Sequence, residues 1–105
     1  MAGFHNDDER AAWTLAESFM HKGLAMMRQA EHALENFMIG KELNRQHCSL
    51  RGIGASDAEI RWAGTSNAKK ALSDNSFHVT QAMMYYGAAS AHYSRAVYLR
   101  SRGVR

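Results

Sequence analysis

The chain has 105 residues, 46% of them hydrophobic and 22% charged, with a net charge of +3, which suits one ordinary globular domain and excludes a disordered chain or two domains. No apolar run approaches the roughly 18–20 residues that span a bilayer, and the acidic start MAGFHNDDER lacks the basic-then-apolar order of a signal peptide. The single cysteine, Cys48, cannot close an internal disulfide, so a reducing, cytoplasmic setting without membrane contact is expected.

Proline is absent, so no residue breaks a helix by force. Asn6-Asp7-Asp8-Glu9 reads as a helix start, with Asn6 as N-cap, Glu9 three residues on and acids in the first turn. From there Trp13, Ala16, Met20, Gly23, Met27, Ala30, Leu34 and Phe37 recur at alternating spacings of three and four. All are apolar or glycine, which makes a heptad-like seam. Leu24, Met26 and Ala33 widen it towards a bundle face. The first helix is predicted over about 7–50, either bent at Gly40 or continuous through it, with Gly52 and Gly54 supplying the stop.

A loop follows over 51–55. Ser56-Asp57-Ala58-Glu59 predicts a second capping box, and with it a helical arm over about 57–102. Two stretches of poor helix formers mark candidate breaks in that arm: 64–67 (Gly-Thr-Ser-Asn) and 73–76 (Ser-Asp-Asn-Ser), where Ser73 or Asp74 would cap a last helix. Leu72, Ser76, Val79, Met83, Tyr86, Ser90, Tyr93 and Val97 then form a second seam of the same spacing, and Gly103 is the expected stop. The predicted fold is all-α: a long antiparallel helical hairpin in a single domain over 1–105. A helix from Asp7 to Ser49 would be about 65 Å long, against a radius of gyration of about 13 Å for a compact domain of this size. The hairpin is therefore expected to pack as a helical bundle in a homo-oligomer. The seam residues expected to meet another copy or a partner are Trp13, Met20, Met27, Leu34, Phe37, Val79, Met83, Tyr86 and Tyr93.

The residues with chemical potential are scattered. His32 lies between Glu31 and Glu35 on one side of a helix. Di-iron bundles, however, need a Glu-x-x-His pair on each of two helices, and here the order is reversed and unrepeated. Glu17 and His21 add a surface pair. His47 stands beside Cys48, but adjacent helical residues point about 100° apart, which places His47 badly to activate the thiol. Of the remaining histidines, His78 and His92 share a stripe but are separated by about 21 Å along a helix, too far for one metal. No nucleophile elbow, phosphate-binding glycine loop, His-Glu-x-x-His or Cys-x-x-Cys occurs. No catalytic residue, metal or cofactor is expected.

The stretch from Ala82 to Tyr93 mixes small residues with Met83, Met84, Tyr85 and Tyr86. It reads as a tight helix or subunit seam, or alternatively as a groove in which Tyr93 and Arg95 hold a small nucleotide. Residues 1–50 carry seven acids and five bases, and residues 51–105 carry three acids and eight bases, with no acid after Asp74. Cations favour helix C-termini, and Arg100 and Arg102, with Arg95, are also the candidate anion contacts. Nucleic-acid binding through these arginines is expected to be weak, non-specific and largely lost near physiological salt.

Trp62-Ala63-Gly64 resembles the signature of the secreted Trp-X-Gly helical hairpins, which place it in the turn between two helices. Here the expected turn lies ten residues earlier. Their C-terminal Tyr-x-x-x-Asp/Glu export signal is also missing: the residues four after Tyr85, Tyr86, Tyr93 and Tyr98 are Ala89, Ser90, Val97 and Arg102. The run Trp62-Ala63, Asn67-Ala68, Ala71-Leu72, Asp74-Asn75, Phe77, Gln81-Ala82 and Tyr86, followed by an alanine-rich helix, resembles small helical proteins of actinobacteria and their phages. That resemblance covers about residues 60–100 and implies a setting, not catalytic residues. The expectation for function is a non-catalytic helical interaction protein that self-associates and binds a host or viral protein. The alternatives are an oligomer that sequesters a small nucleotide and a weak, non-specific DNA-binding protein.

Overall fold

The computed structural model describes residues 7–103, so the expected N-cap Asn6 lies outside the described residues. The chain is an all-α antiparallel helical hairpin. One arm is α1 (Asp7–Leu50), and the other is α2 (Ala55–Ala63) followed by α3 (Ser66–Gly103). No described helix is long and apolar enough to cross a membrane.

Local chemistry sets each boundary. Asp7, Asp8 and Glu9 occupy the first turn of α1, where carboxylates face the positive end of the helix dipole. At the other end Gly52 adopts φ +77°, its N–H donates to Ser49 O at 3.0 Å, and the N–H of Ile53 donates to Cys48 O at 2.9 Å. This pair of bonds is the Schellman closure, which needs a residue at positive φ. The expected capping box at Ser56–Glu59 is not formed. α2 begins two residues earlier than expected, at Ala55, behind an extended Gly54 that makes no side-chain cap, and the Glu59 carboxylate accepts from Lys41 Nζ at 3.0 Å instead of folding back.

The second arm breaks at the first of its two candidate positions. Gly64 caps α2, and the Thr65 hydroxyl oxygen accepts the N–H of Ala68 at 3.2 Å to start α3. Trp62-Ala63-Gly64 therefore does stand at a connection between helices, the second of two. At residues 73–76 there is no break, and neither Ser73 nor Asp74 caps a helix: α3 runs straight through. The side chains with poor helix propensity are used elsewhere. Asn75 Nδ2 donates to Ala30 O at 2.8 Å, and Asp74 accepts from Lys70 Nζ at 2.9 Å. The few tenths of a kcal/mol that such residues cost in a helix are readily offset by contacts of this kind.

The chain divides into two compact units, one of residues 1–26 with 80–105 and one of residues 27–79. In the first, the buried positions are Glu9, Ala12, Ala16 and Gly23 on α1 and Ala82, Ala89 and Ala96 on α3. Gly23 packs against the ring of Tyr86, whose Cδ1 would lie 2.6 Å from an added Cβ. Glu9 is 3% exposed, and its Oε1 lies 3.7 Å from Arg100 Nε. In the second unit, the buried residues are Ala30, Ala33 and Cys48 on α1, Ala58 and Trp62 on α2, and Ala68 on α3. The Trp62 ring covers Gly40 and tilts against Phe37 at 5.6 Å between centroids, while Asn44 Nδ2 donates to Ala58 O at 2.9 Å. α1 passes through Gly40 without interruption.

Both interiors are built of small side chains: the buried hydrophobic residues among those described are nine alanines, Cys48 and Trp62. The inner stripe shares Ala16, Gly23 and Ala30 with the first expected seam, but its partner positions are Ala12 and Ala33 where the spacing pointed to Trp13 and Leu34. On α3 the expected seam members Val79, Tyr86 and Tyr93 are half-buried, but the fully buried positions are Ala82, Ala89 and Ala96, each one residue before the expected Met83, Ser90 and Val97. Small side chains at a seven-residue repeat let two helices approach closely, and the bulky neighbours are left on the flanks.

Candidate functional site

In the first unit, the displaced bulky residues form an apolar flank. Met20, Tyr86, Ser90, Tyr93, Ser94 and Val97 line a shallow groove of about 530 Å³. Trp13 and Tyr93 meet edge to face with centroids 5.0 Å apart, and Trp13 Nε1 donates to Glu17 at 2.6 Å. Met83 is 68% exposed and Val97 63%. About 100° round each helix lies a different cluster. Here Phe19 stacks on His92 at 5.5 Å and on Tyr85 at 6.2 Å, with the Lys22 ammonium 5.4 Å from the Phe19 centroid.

The arginines expected to hold an anion beside Tyr93 are not brought to its groove. Arg100 is turned to Glu9, Arg102 lies 5.9 Å from the Tyr98 ring, and Arg95 is exposed and absent from the lining.

In the second unit, the expected seam residues Met27, Phe37 and Val79 are half-buried. Leu34 is 45% exposed and lines an open concavity of about 490 Å³ with Glu31, Glu35, Met38 and Ile39. A smaller cleft near the α1–α2 turn is lined by Lys41, Glu42, Arg45 and Glu59. Its charges are mutually satisfied: Lys41 pairs with Glu59, and Arg45 with Glu42. Hydrogen bonds from Arg45 and then Gln46 hold the exposed Glu42 carboxyl down at about 2.

The larger feature of this unit was not anticipated. A groove of about 830 Å³ runs between α1 and the other arm, lined by Arg28, Gln29, His32, Ala33, Asn36, Ile39 and Gly40 on one side and Trp62, Asn67, Lys70, Ala71, Asp74 and His78 on the other. The buried Trp62 Nε1 and His78 Nδ1 have no hydrogen-bond partner, and a buried polar atom left so costs about 1–3 kcal/mol. The signal was present as two polar stripes, Arg28-His32-Asn36 and Asn67-Lys70-Asp74-His78, each at helical spacing. Separately each reads as a solvated face, and only the register between the arms shows that they border one groove.

Among the described residues there is no group of three or more His, Cys, Asp or Glu positioned for a metal ion. No family model, curated protein or solved structure matches the chain.

Proposed function

We propose that this chain is a non-catalytic helical interaction protein that self-associates along the apolar flank of its hairpin and presents the assembled bundle to a protein partner. The observation that carries this is the inversion of side-chain size: alanines fill the interior, while Leu34, Met38, Ile39, Met83, Met84 and Val97 stand between 45% and 70% exposed. Within the second unit Leu34, Met38 and Ile39 share one open concavity; grouped apolar surface of this kind marks an interaction site, and a chain this short gains stability by covering it. The resemblance of residues 60–100 to small helical proteins of actinobacteria and their phages supports an accessory role in such a setting, with a host or viral protein as partner.

Light scattering after size exclusion at micromolar concentration tests the reading, with a dimer or larger assembly expected. Met83→Glu and Leu34→Glu are expected to lower the mass to that of the monomer while retaining helical circular dichroism. These positions are exposed in the hairpin, so the substitutions cost its own fold within about 0.5 kcal/mol. A wild-type chain that stays monomeric at high concentration would rule self-association out.

The Trp-X-Gly secreted hairpins place their signature in the turn between the two arms, whereas Trp62-Ala63-Gly64 stands at the α2–α3 joint within one arm, which weighs against export. The absent Tyr-x-x-x-Asp/Glu signal weighs against it as well. Retention of the chain within the cells that make it would exclude export.

A further inference from the structure

We infer that the groove between α1 and the α2–α3 arm in the second unit binds a small planar organic anion. Its acidic group is held by Arg28 and Lys70, and its flat body rests on the apolar floor made by Ala33, Gly40 and Trp62.

Size is the first ground. At about 830 Å³ the groove lies within the roughly 300–1,000 Å³ of small-molecule sites, which combine an apolar floor with a few convergent polar groups. The polar groups here are two fixed cations, two histidines and side-chain amides, against one acid, Asp74. That acid already accepts from Lys70 at 2.9 Å, in a pair whose side chains are 76% and 46% exposed. An exposed pair of this kind is weak and leaves the ammonium free to turn to a stronger acceptor. Arg28 has no ion pair with any described residue, and His32 faces Glu35 only at 4.0 Å. The groove therefore holds more positive charge than it neutralises.

Electrostatic placement is the second ground. Lys70 lies in the first turns of α3, and the opening turn of that helix carries no acid. Anions are favoured near the positive end of a helix, and Asp74, a full turn further in, is the only acid that lines this groove.

The third ground is independent of charge. Trp62 is 8% exposed, and its Nε1 is one of two buried ring nitrogens without a partner, the other being His78 Nδ1. Both belong to residues that line this same groove, so the polar ring atoms beside its floor are not committed to another part of the protein. The smaller cleft at Lys41–Glu59, where every charge is paired, has neither feature.

The inference does not depend on self-association. Its test uses the full chain carrying Trp13→Phe, which leaves Trp62 as the only tryptophan of the two in the sequence. Trp62 emission and calorimetry are followed against 1-naphthoate and adenosine monophosphate, which separate a carboxylate from a phosphate head. Neutral adenosine and inorganic phosphate serve as controls.

Saturable binding of one or both organic anions is expected, with neither control matching it. Arg28→Gln and Lys70→Gln are each expected to weaken that binding about tenfold or more, since charge-assisted bonds are the strong ones. Arg61→Gln, on an exposed residue outside the groove, leaves it unchanged. Circular dichroism melts of the Arg28 and Lys70 variants are expected to match the parent, which separates lost binding from lost fold. Failure of both anions to saturate in the millimolar range overturns the inference, as does binding indifferent to Arg28→Gln and Lys70→Gln. Adenosine binding as tightly as its monophosphate overturns the role of charge, and inorganic phosphate binding as tightly overturns the role of the planar body.

Discussion

Trp62→Ala is expected to cost about 3–5 kcal/mol of folding free energy, as buried aromatic-to-alanine changes do, out of about 5–15 kcal/mol available to a domain. Trp62 is the one large side chain among the buried hydrophobic residues described, and it fills the space between Phe37 and the bare Cα of Gly40. Its ring lies on the bare Cα of Gly40, where an added Cβ would collide with Cη2 and Cζ2 of the indole. Glycine to alanine in a helix interior ordinarily gains about 0.5–1 kcal/mol. At Gly40 the sign is expected to reverse, because overpacking costs about 1–3 kcal/mol and neither the backbone nor a rigid indole yields cheaply. Trp62→Phe shortens the ring and removes the unpartnered Nε1, so it should be far milder than Trp62→Ala. It should also relieve Gly40→Ala, giving a coupling energy of at least about 0.5 kcal/mol in the double-mutant cycle. Urea denaturation followed by circular dichroism measures all four variants. A Gly40→Ala protein more stable than the parent, or an additive cycle, would show that the Trp62–Gly40 contact does not hold this unit together.

How far the sequence disclosed this arrangement varies from element to element. Helix starts and stops written in backbone chemistry were legible: the acidic first turn at Asp7–Glu9, the stop at Gly52 and the break after Ala63. Each depends on a local preference that tertiary packing does not reverse. The break expected at 73–76 failed because Asn75 found an acceptor on the other arm, at Ala30 O, and such a partner 45 residues away leaves no trace in local propensity. Three positions of the α3 stripe, Met83, Ser90 and Val97, were each one residue off for a related reason. Periodicity identifies which residues share a face, and hydrophobicity ranks Met83 and Val97 above Ala82 and Ala96. When two helices approach closely, volume decides who goes inside, and the smallest residues win. The basic groove was out of reach for a third reason: its two halves are distant in sequence, and only the hairpin's register brings Arg28 and His78, 50 positions apart, to one opening.

Ala82→Leu and Ala89→Leu are expected to damage the first unit far more than any change at Met83. Both alanines are fully buried, at 0% exposure, on the face of α3 that meets α1 within that unit. A leucine at either position has to enter a space sized for one methyl group, which forces strained rotamers or pushes the helices apart at about 1–3 kcal/mol each. The two sites are two helical turns apart, about 10.5 Å, so their costs should add nearly in full. For a domain of this size each kcal/mol moves the thermal midpoint by about 4–8 °C, so the double variant should melt many degrees below the parent. Met83, one position along and 68% exposed, answers to a different force. Met83→Glu should leave the melting of the hairpin itself within about 0.5 kcal/mol and act on the assembly, seen as a change in mass by light scattering. The two readouts therefore separate interior from interaction face. Comparing melts at a concentration where the chain is monomeric removes the contribution of association. If Ala82→Leu melted with the parent while Met83→Glu unfolded the monomer, the methionine face would be the one α3 buries, and the apolar flank would lose its standing as a surface for a second copy.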